Sequence, residues 1–190
     1  MALDNVYGEK ASRVPIGYDS GMTIRRGIVA DAAILAALAR DTFFDTFAAT
    51  NDVADMAIHL ERAYGVPQQG AELGDPNVIT LLVEVGGQAV AYAQLRTGQV
   101  PACVVGDSPI ELWRFYVGRE WHGRGIAQAL IARVIADAGA TGAQTLWLGV
   151  WERNPRARAF YVKSGFTDVG EHVFLFGTDP QTDRVMVRPL

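Results

Sequence analysis

One segment constrains this chain more than any other. It reads Tyr116-Val117-Gly118-Arg119-Glu120-Trp121-His122-Gly123-Arg124-Gly125-Ile126-Ala127. Residues 110 to 117 ahead of it have the character of a strand. Residues 123 to 138 carry Ile126, Leu130, Ile131, Val134 and Ile135 at helical spacing. A strand therefore runs through a glycine-bearing loop directly into a helix. The first N–H groups of a helix have no partner within it, and the macrodipole makes that end positive. Glycines at 123 and 125 let an anion come close to the backbone, which is the pattern of a phosphate cradle. A tight turn with no ligand would use the same residues, so the rest of the chain has to decide. The Lys-Ser/Thr of a nucleoside-triphosphate loop is missing, which disfavours Mg-phosphate chemistry. No acidic residue closes a second strand where a dinucleotide's ribose would need it. What remains is a pyrophosphate held mostly by backbone amides.

The surrounding elements fit one mixed α/β domain. Residues 22 to 29 read as a first strand, with Asp31 as the cap of a helix whose apolar side is Ile34, Leu35, Leu38, Phe43, Phe44 and Phe47. A second helix starts at Asp52, turns Met56, Leu60 and Tyr64 one way, and stops at Gly65 and Pro67. Strands at 78 to 85 and 88 to 96 flank the two-residue turn Gly86-Gly87. The apolar run 145 to 150 suits a strand buried on both faces. Asn154 and Pro155 cap and open a last helix that ends at Gly165, and two strands follow around a turn at 177 to 183. Residues 1 to 21 show little periodicity and are expected to be an N-terminal extension to a domain spanning 22 to 190.

A chain of 190 residues can build a core without staples. Its 17 Lys and Arg against 21 Asp and Glu give a net charge of −4. With no basic stripe, nucleic acid is a poor partner. The single cysteine, Cys103, forms no internal disulfide, and His59, His122 and His172 are too scattered to hold a metal. No secretory leader and no apolar run long enough to span a membrane is visible, so the expectation is a cytoplasmic protein without metal or membrane partner.

A second segment, Leu148-Gly149-Val150-Trp151-Glu152-Arg153-Asn154-Pro155 through Ala159-Phe160-Tyr161-Val162-Lys163-Ser164-Gly165-Phe166, follows the first at a telling distance. Together they resemble motifs A and B of the GCN5-related N-acetyltransferases (GNAT), in that family's order and spacing. His122 stands where Gln or Arg is usual. Phe43 to Phe47, Asn51 to Tyr64 and the tail from Gly170 to Met186 resemble bacterial spermidine/spermine N-acetyltransferases of the PaiA type. That similarity covers about residues 23 to 190.

The resemblance implies a GNAT fold: a mixed sheet of about seven strands, splayed between the fourth and fifth, flanked by about four helices. It also implies acetyl-CoA as co-substrate. The donor would be held by Phe115, Tyr116 and Val117, by the loop His122, Gly123, Arg124, Gly125, Ile126 and Ala127, and by Asn154 and Arg156. Tyr161 matches the family's general acid, and phenol and thiol titrate closely enough for a nearly balanced proton transfer. Arg158 is a weaker phosphate candidate. Glu111 is the first candidate for the base, directly or through water. Trp113 occupies a position where the polyamine-type pattern usually has an acid. Asp41, Asp45, Asp52 and Asp55 lie on the helices that would roof an acceptor cleft. The expected reaction is acetylation of a small primary amine, polyamine first. A peptide amino group, or an idle acyl-CoA sensor, is the alternative. A homodimer through the C-terminal strands is also expected.

Overall fold

The computed structural model describes residues 21–190. Apart from Gly21, the expected N-terminal extension lies outside the described residues. The elements are β1 (Met22–Arg26), α1 (Ala32–Phe47), α2 (Val53–Tyr64), α3 (Val66–Gly74), β2 (Val78–Val85), β3 (Gln88–Arg96), β4 (Pro109–Val117), α4 (Ile126–Ala140), β5 (Thr145–Trp151), α5 (Pro155–Lys163), β6 (Thr167–Phe176) and β7 (Asp179–Pro189). The strands make one sheet in the order β1-β2-β3-β4-β5-β7-β6. Only β4 and β5 run parallel; the other neighbours are antiparallel.

Period-two alternation sends the two faces of this sheet into two cores. Leu81, Val83, Ala91, Ala93 and Leu95 pack beneath α4, against Leu130, Ile131 and Val134. Leu82 and Tyr92 point the other way, toward Leu35 and Phe43 of α1 and Leu60 of α2. The Gly86-Gly87 turn has φ of +60° and +82°, the left-handed pair a two-residue hairpin demands.

The sheet parts in its middle. Pro109, Ile110 and Glu111 pair with Thr145, Leu146 and Trp147, and there β4 and β5 cease to pair. Beyond that point β4 follows β3 to Val117, while β5 follows β7 to Trp151. A bulge marks the divergence: Leu95 faces Leu112 and Gln94 faces Arg114, leaving Trp113 without a partner on β3. An extra residue in one strand bends it and increases its twist.

Several sequence expectations are corrected. The second helix does stop at Gly65, its C-cap, but Pro67 also lies in the first turn of a third helix not expected from the sequence, where its missing N–H costs nothing. The described residues thus carry five α-helices, close to the expected number of about four. Asp31 holds the N-cap position of α1, but its side chain makes no cap hydrogen bond there. Its carboxylate accepts from the Arg25 guanidinium at 2.7 and 2.9 Å and from the Ile28 N–H at 2.8 Å. A bidentate charged partner outcompetes a neutral cap. Ile34 and Phe44 are half exposed, and the buried stripe of α1 is Leu35, Ala36, Ala39 and Phe43. The first strand ends at Arg26, and the last hairpin turns on Gly177 and Thr178 alone.

Candidate active site

The parting of β4 from β5 opens a cleft of about 930 Å³. At one end stands the start of α4. Gly123 and Gly125 have φ of +75° and +84°, a region glycine enters without strain. The helix therefore begins at Ile126 rather than 123. Gly125 is its N-cap and offers no side-chain acceptor, so the first-turn N–H groups remain free to bind an anion. A Cβ on Gly125 would meet nothing within 4 Å, so the space beside the loop is open. His122 Nε2 lies 2.9 Å from the Val117 carbonyl oxygen and bridges the loop back to β4. Arg124 stacks over Trp121 at 5.0 Å.

Phe115, Tyr116 and Val117 form the β4 wall. On the side facing β5 their backbone has no strand partner, so an extended amide-bearing chain could pair there. Asn154 and Arg156 border the same space. The Asn154 side chain caps α5, accepting from the Ala157 N–H at 3.1 Å. Arg158 instead approaches Asp168 at 3.4 Å.

Tyr161 reaches the cleft from α5. Its ring is wedged between Phe115, Phe160 and Phe166. Burial pushes its phenol well above the usual range, which keeps the hydroxyl protonated but makes it a weaker acid than a free phenol, so proton transfer to a thiolate is less balanced than expected from the sequence. Among the described residues the hydroxyl has no hydrogen-bond partner, so nothing in the fold requires it.

The far end of the cleft carries more charge. Glu111 is buried, and its Oε2 accepts from Arg96 Nε at 2.5 Å. Trp113 lies between two guanidinium groups, with Arg96 3.9 Å and Arg114 3.8 Å from its ring centre. Arg114 in turn pairs with buried Glu72 at 2.5 Å and Gln94 at 2.7 Å. Both cations on this wall thus carry their own carboxylate. His59 is stacked between Phe43 and Phe176, and burial, with Arg114 assisting, lowers its pKa to about 4.

The four helix aspartates separate. Asp45 lines the cleft, and Asp41 faces a neighbouring groove. Asp52 caps α2, and Asp55 binds Thr178. Sequence reasoning missed Asp183. It lies on β7, opposite Trp151 of β5 and His172 of β6, and borders the cleft. Its Oδ2 is 3.9 Å from His172 Nε2, and burial pushes its carboxyl up to about 6. Both groups crowd the face of Gly149, where a Cβ would lie 2.7 Å from the imidazole and 3.2 Å from the carboxylate. The resembling tail spans Asp183 but gives it no role, because only the strand register brings it to the cleft.

Among the described residues no group of three His, Cys, Asp or Glu is placed to hold a metal, and no helix is long and apolar enough to cross a membrane.

Comparison with known proteins agrees with this geometry. The Acetyltransferase (GNAT) family matches residues 38–166. An uncharacterized N-acetyltransferase in the pepI 3′ region of Lactobacillus delbrueckii subsp. lactis is 32% identical over 154 residues, covering 81% of this chain and 89% of its own. An uncharacterized N-acetyltransferase of Mycobacterium bovis is 39% identical over 118 residues, 62% of this chain and 71% of its own. Among solved structures, the PaiA N-acetyltransferase of Thermoplasma acidophilum in complex with coenzyme A superposes with a TM-score of 0.73 at 18% identity, covering 89% of this chain and 99% of that one. The chain belongs to the GNAT family and is an acetyl-CoA-dependent N-acetyltransferase.

Proposed function

We propose that the protein acetylates a primary amine of a small, cationic molecule, with spermidine and spermine the first acceptors to test. One observation carries this: at the acceptor end Arg96 and Arg114 are each matched by a carboxylate. Asp183 and Asp45 are then left as unmatched charge among aromatic rings. Acidic groups beside aromatic faces suit an ammonium ion. Small size is favoured because α2 and the turn before it are tied to the β6–β7 hairpin by Asp55–Thr178 and Asn51–Gln181 hydrogen bonds, which narrow that end against a peptide.

Acetyl-CoA supplies an activated acetyl thioester. The residues present fit it: the free N–H groups at the start of α4 take its pyrophosphate, the open edge of β4 pairs with its amide-bearing arm, and Arg156 offers a cation to a phosphate. Tyr161 donates its proton to the departing sulfur. Steady-state release of free coenzyme A against a panel of polyamines, amino sugars, amino acids and short peptides tests the assignment. Saturable turnover on polyamines supports it, and turnover on peptides alone replaces the acceptor class.

A further inference from the structure

We propose that Asp183 is the group that takes the proton from the acceptor's ammonium before attack. This rests on the amine-acetylating function above and adds the residue that prepares the amine.

A base for this step has to meet the cleft, be free of a permanent cation, and be ionised in use. Glu111 meets the first requirement, but Arg96 occupies its Oε2. An ammonium approaching it would compete with a guanidinium already in contact. Asp183 meets all three. It borders the cleft, and among the described residues no arginine or lysine lies within ion-pair distance of it.

The groups around it come from three strands. From β6, His172 faces it at 3.9 Å. Burial lowers the pKa of that imidazole, with Glu111 on β4 pulling weakly the other way, so His172 stays neutral near pH 7. Its Nε2 is buried with no hydrogen-bond partner among the described residues. From β5, Gly149 contributes only a bare backbone face, which is what lets the pair sit there. The next residue on β7, Arg184, turns away to Asp168 and Glu171. An uncompensated carboxylate in a partly dry wall is held with a raised pKa of about 6. It is a stronger base than an ordinary aspartate, yet still ionised at neutral pH.

The proton count closes. The ammonium gives one proton to Asp183, which passes it to solvent. The freed nitrogen forms the C–N bond as the C–S bond breaks, and the electron pair of that bond leaves on sulfur. Tyr161 protonates the sulfur, and the second proton lost by nitrogen restores the phenol.

The test compares wild type, Asp183→Asn and Glu111→Gln in kcat/KM for the best amine of the panel between pH 5 and 10. Melting temperature and acetyl-CoA affinity are measured alongside to exclude misfolding. Wild type should show an acidic limb near pH 6. Asp183→Asn should lose 10²-fold or more at pH 7 and lack that limb. Its rate should recover tenfold per pH unit as the amine deprotonates by itself. Separately, ¹³C-carboxyl NMR of aspartate-labelled protein without substrate should show one carboxyl titrating near 6 that is missing in Asp183→Asn. Equal rates and profiles in wild type and Asp183→Asn, or loss of the limb in Glu111→Gln alone, would overturn the proposal and leave the acetyltransferase function standing. No turnover by wild type on any amine would overturn the function and this proposal together.

Discussion

Asp55 Oδ1 accepts two hydrogen bonds from Thr178, one from its backbone N–H at 2.6 Å and one from its hydroxyl at 2.8 Å. This contact joins the start of α2 to the β6–β7 turn, 123 residues away in sequence. The turn itself depends on Gly177, at φ +59°, where a Cβ would lie 2.4 Å from the same Asp55 oxygen. Gly177→Ala should therefore cost about 1–2 kcal/mol from the left-handed backbone, with the displaced Asp55 adding to it. Asp55→Ala should cost about 1 kcal/mol and raise KM for the amine more than KM for acetyl-CoA. Urea unfolding and steady-state kinetics measure the two effects.

Tyr161 offers a separation of stability from chemistry. Its hydroxyl holds nothing together, so Tyr161→Phe should leave the melting temperature unchanged or slightly raised. Turnover should fall by about 10²-fold or more with acetyl-CoA affinity preserved. Retention of full turnover would remove the proton-donor role.

The loop before α4 should behave in the opposite way. A side chain on Gly125 meets open space, so Gly125→Ala costs only about 1 kcal/mol of backbone strain. The new methyl sits beside the anion cradle, however, and acetyl-CoA affinity should drop about tenfold, roughly one hydrogen bond's worth. Calorimetric titration distinguishes this from general destabilisation.

Arg114 and Glu72 are a buried pair, with side chains 7% and 6% exposed. Removing one partner strands the other, so Glu72→Ala should destabilise the fold by about 3–5 kcal/mol. Replacing both by apolar residues should cost much less. A double-mutant cycle in denaturant gives both numbers.

His59 predicts a pH effect of definite sign. Its folded pKa is about 4, below the ordinary 6.5. The unfolded chain therefore binds a proton that the folded chain refuses. The stability this group confers is complete above pH 6.5 and declines as pH falls toward 4, by up to about 3 kcal/mol. Asp183 works against it, since a raised carboxyl favours the folded state as pH falls from 6 toward 3.8. His59→Phe should flatten the acid side of the stability profile, measured by unfolding at successive pH values.

Much of this was legible in the chain. Asp52 and Asn154 cap the helices they precede, Gly86-Gly87 turns its hairpin, and the glycines of the 122–127 loop lie at the start of α4. These are short-range matters, decided by a residue and its near neighbours. Pro67 was legible in kind but not in sense, because proline marks a helix start as readily as a stop. The misses were long-range. Asp31 was claimed by Arg25 from the adjoining strand. Glu111 met Arg96 because the antiparallel register sets them opposite each other. Asp183 entered the cleft through a pairing with β5 and β6 that no local pattern encodes.

The three-residue join between β4 and β5 has a mechanical meaning. One half of the molecule holds β1 to β4, and the other holds β5 to β7, with little ladder between them. Such a seam is where a sheet can breathe without unfolding, and its amides should exchange with solvent ahead of the rest. A molecule laid along the open edge of β4 and the start of α4, and reaching across to Asn154 and Arg156 beyond β5, acts as a rivet. Its binding energy then becomes resistance to unfolding for both halves at once, rising with its concentration. The supply of activated acetyl groups would set how long the enzyme survives as well as how fast it works.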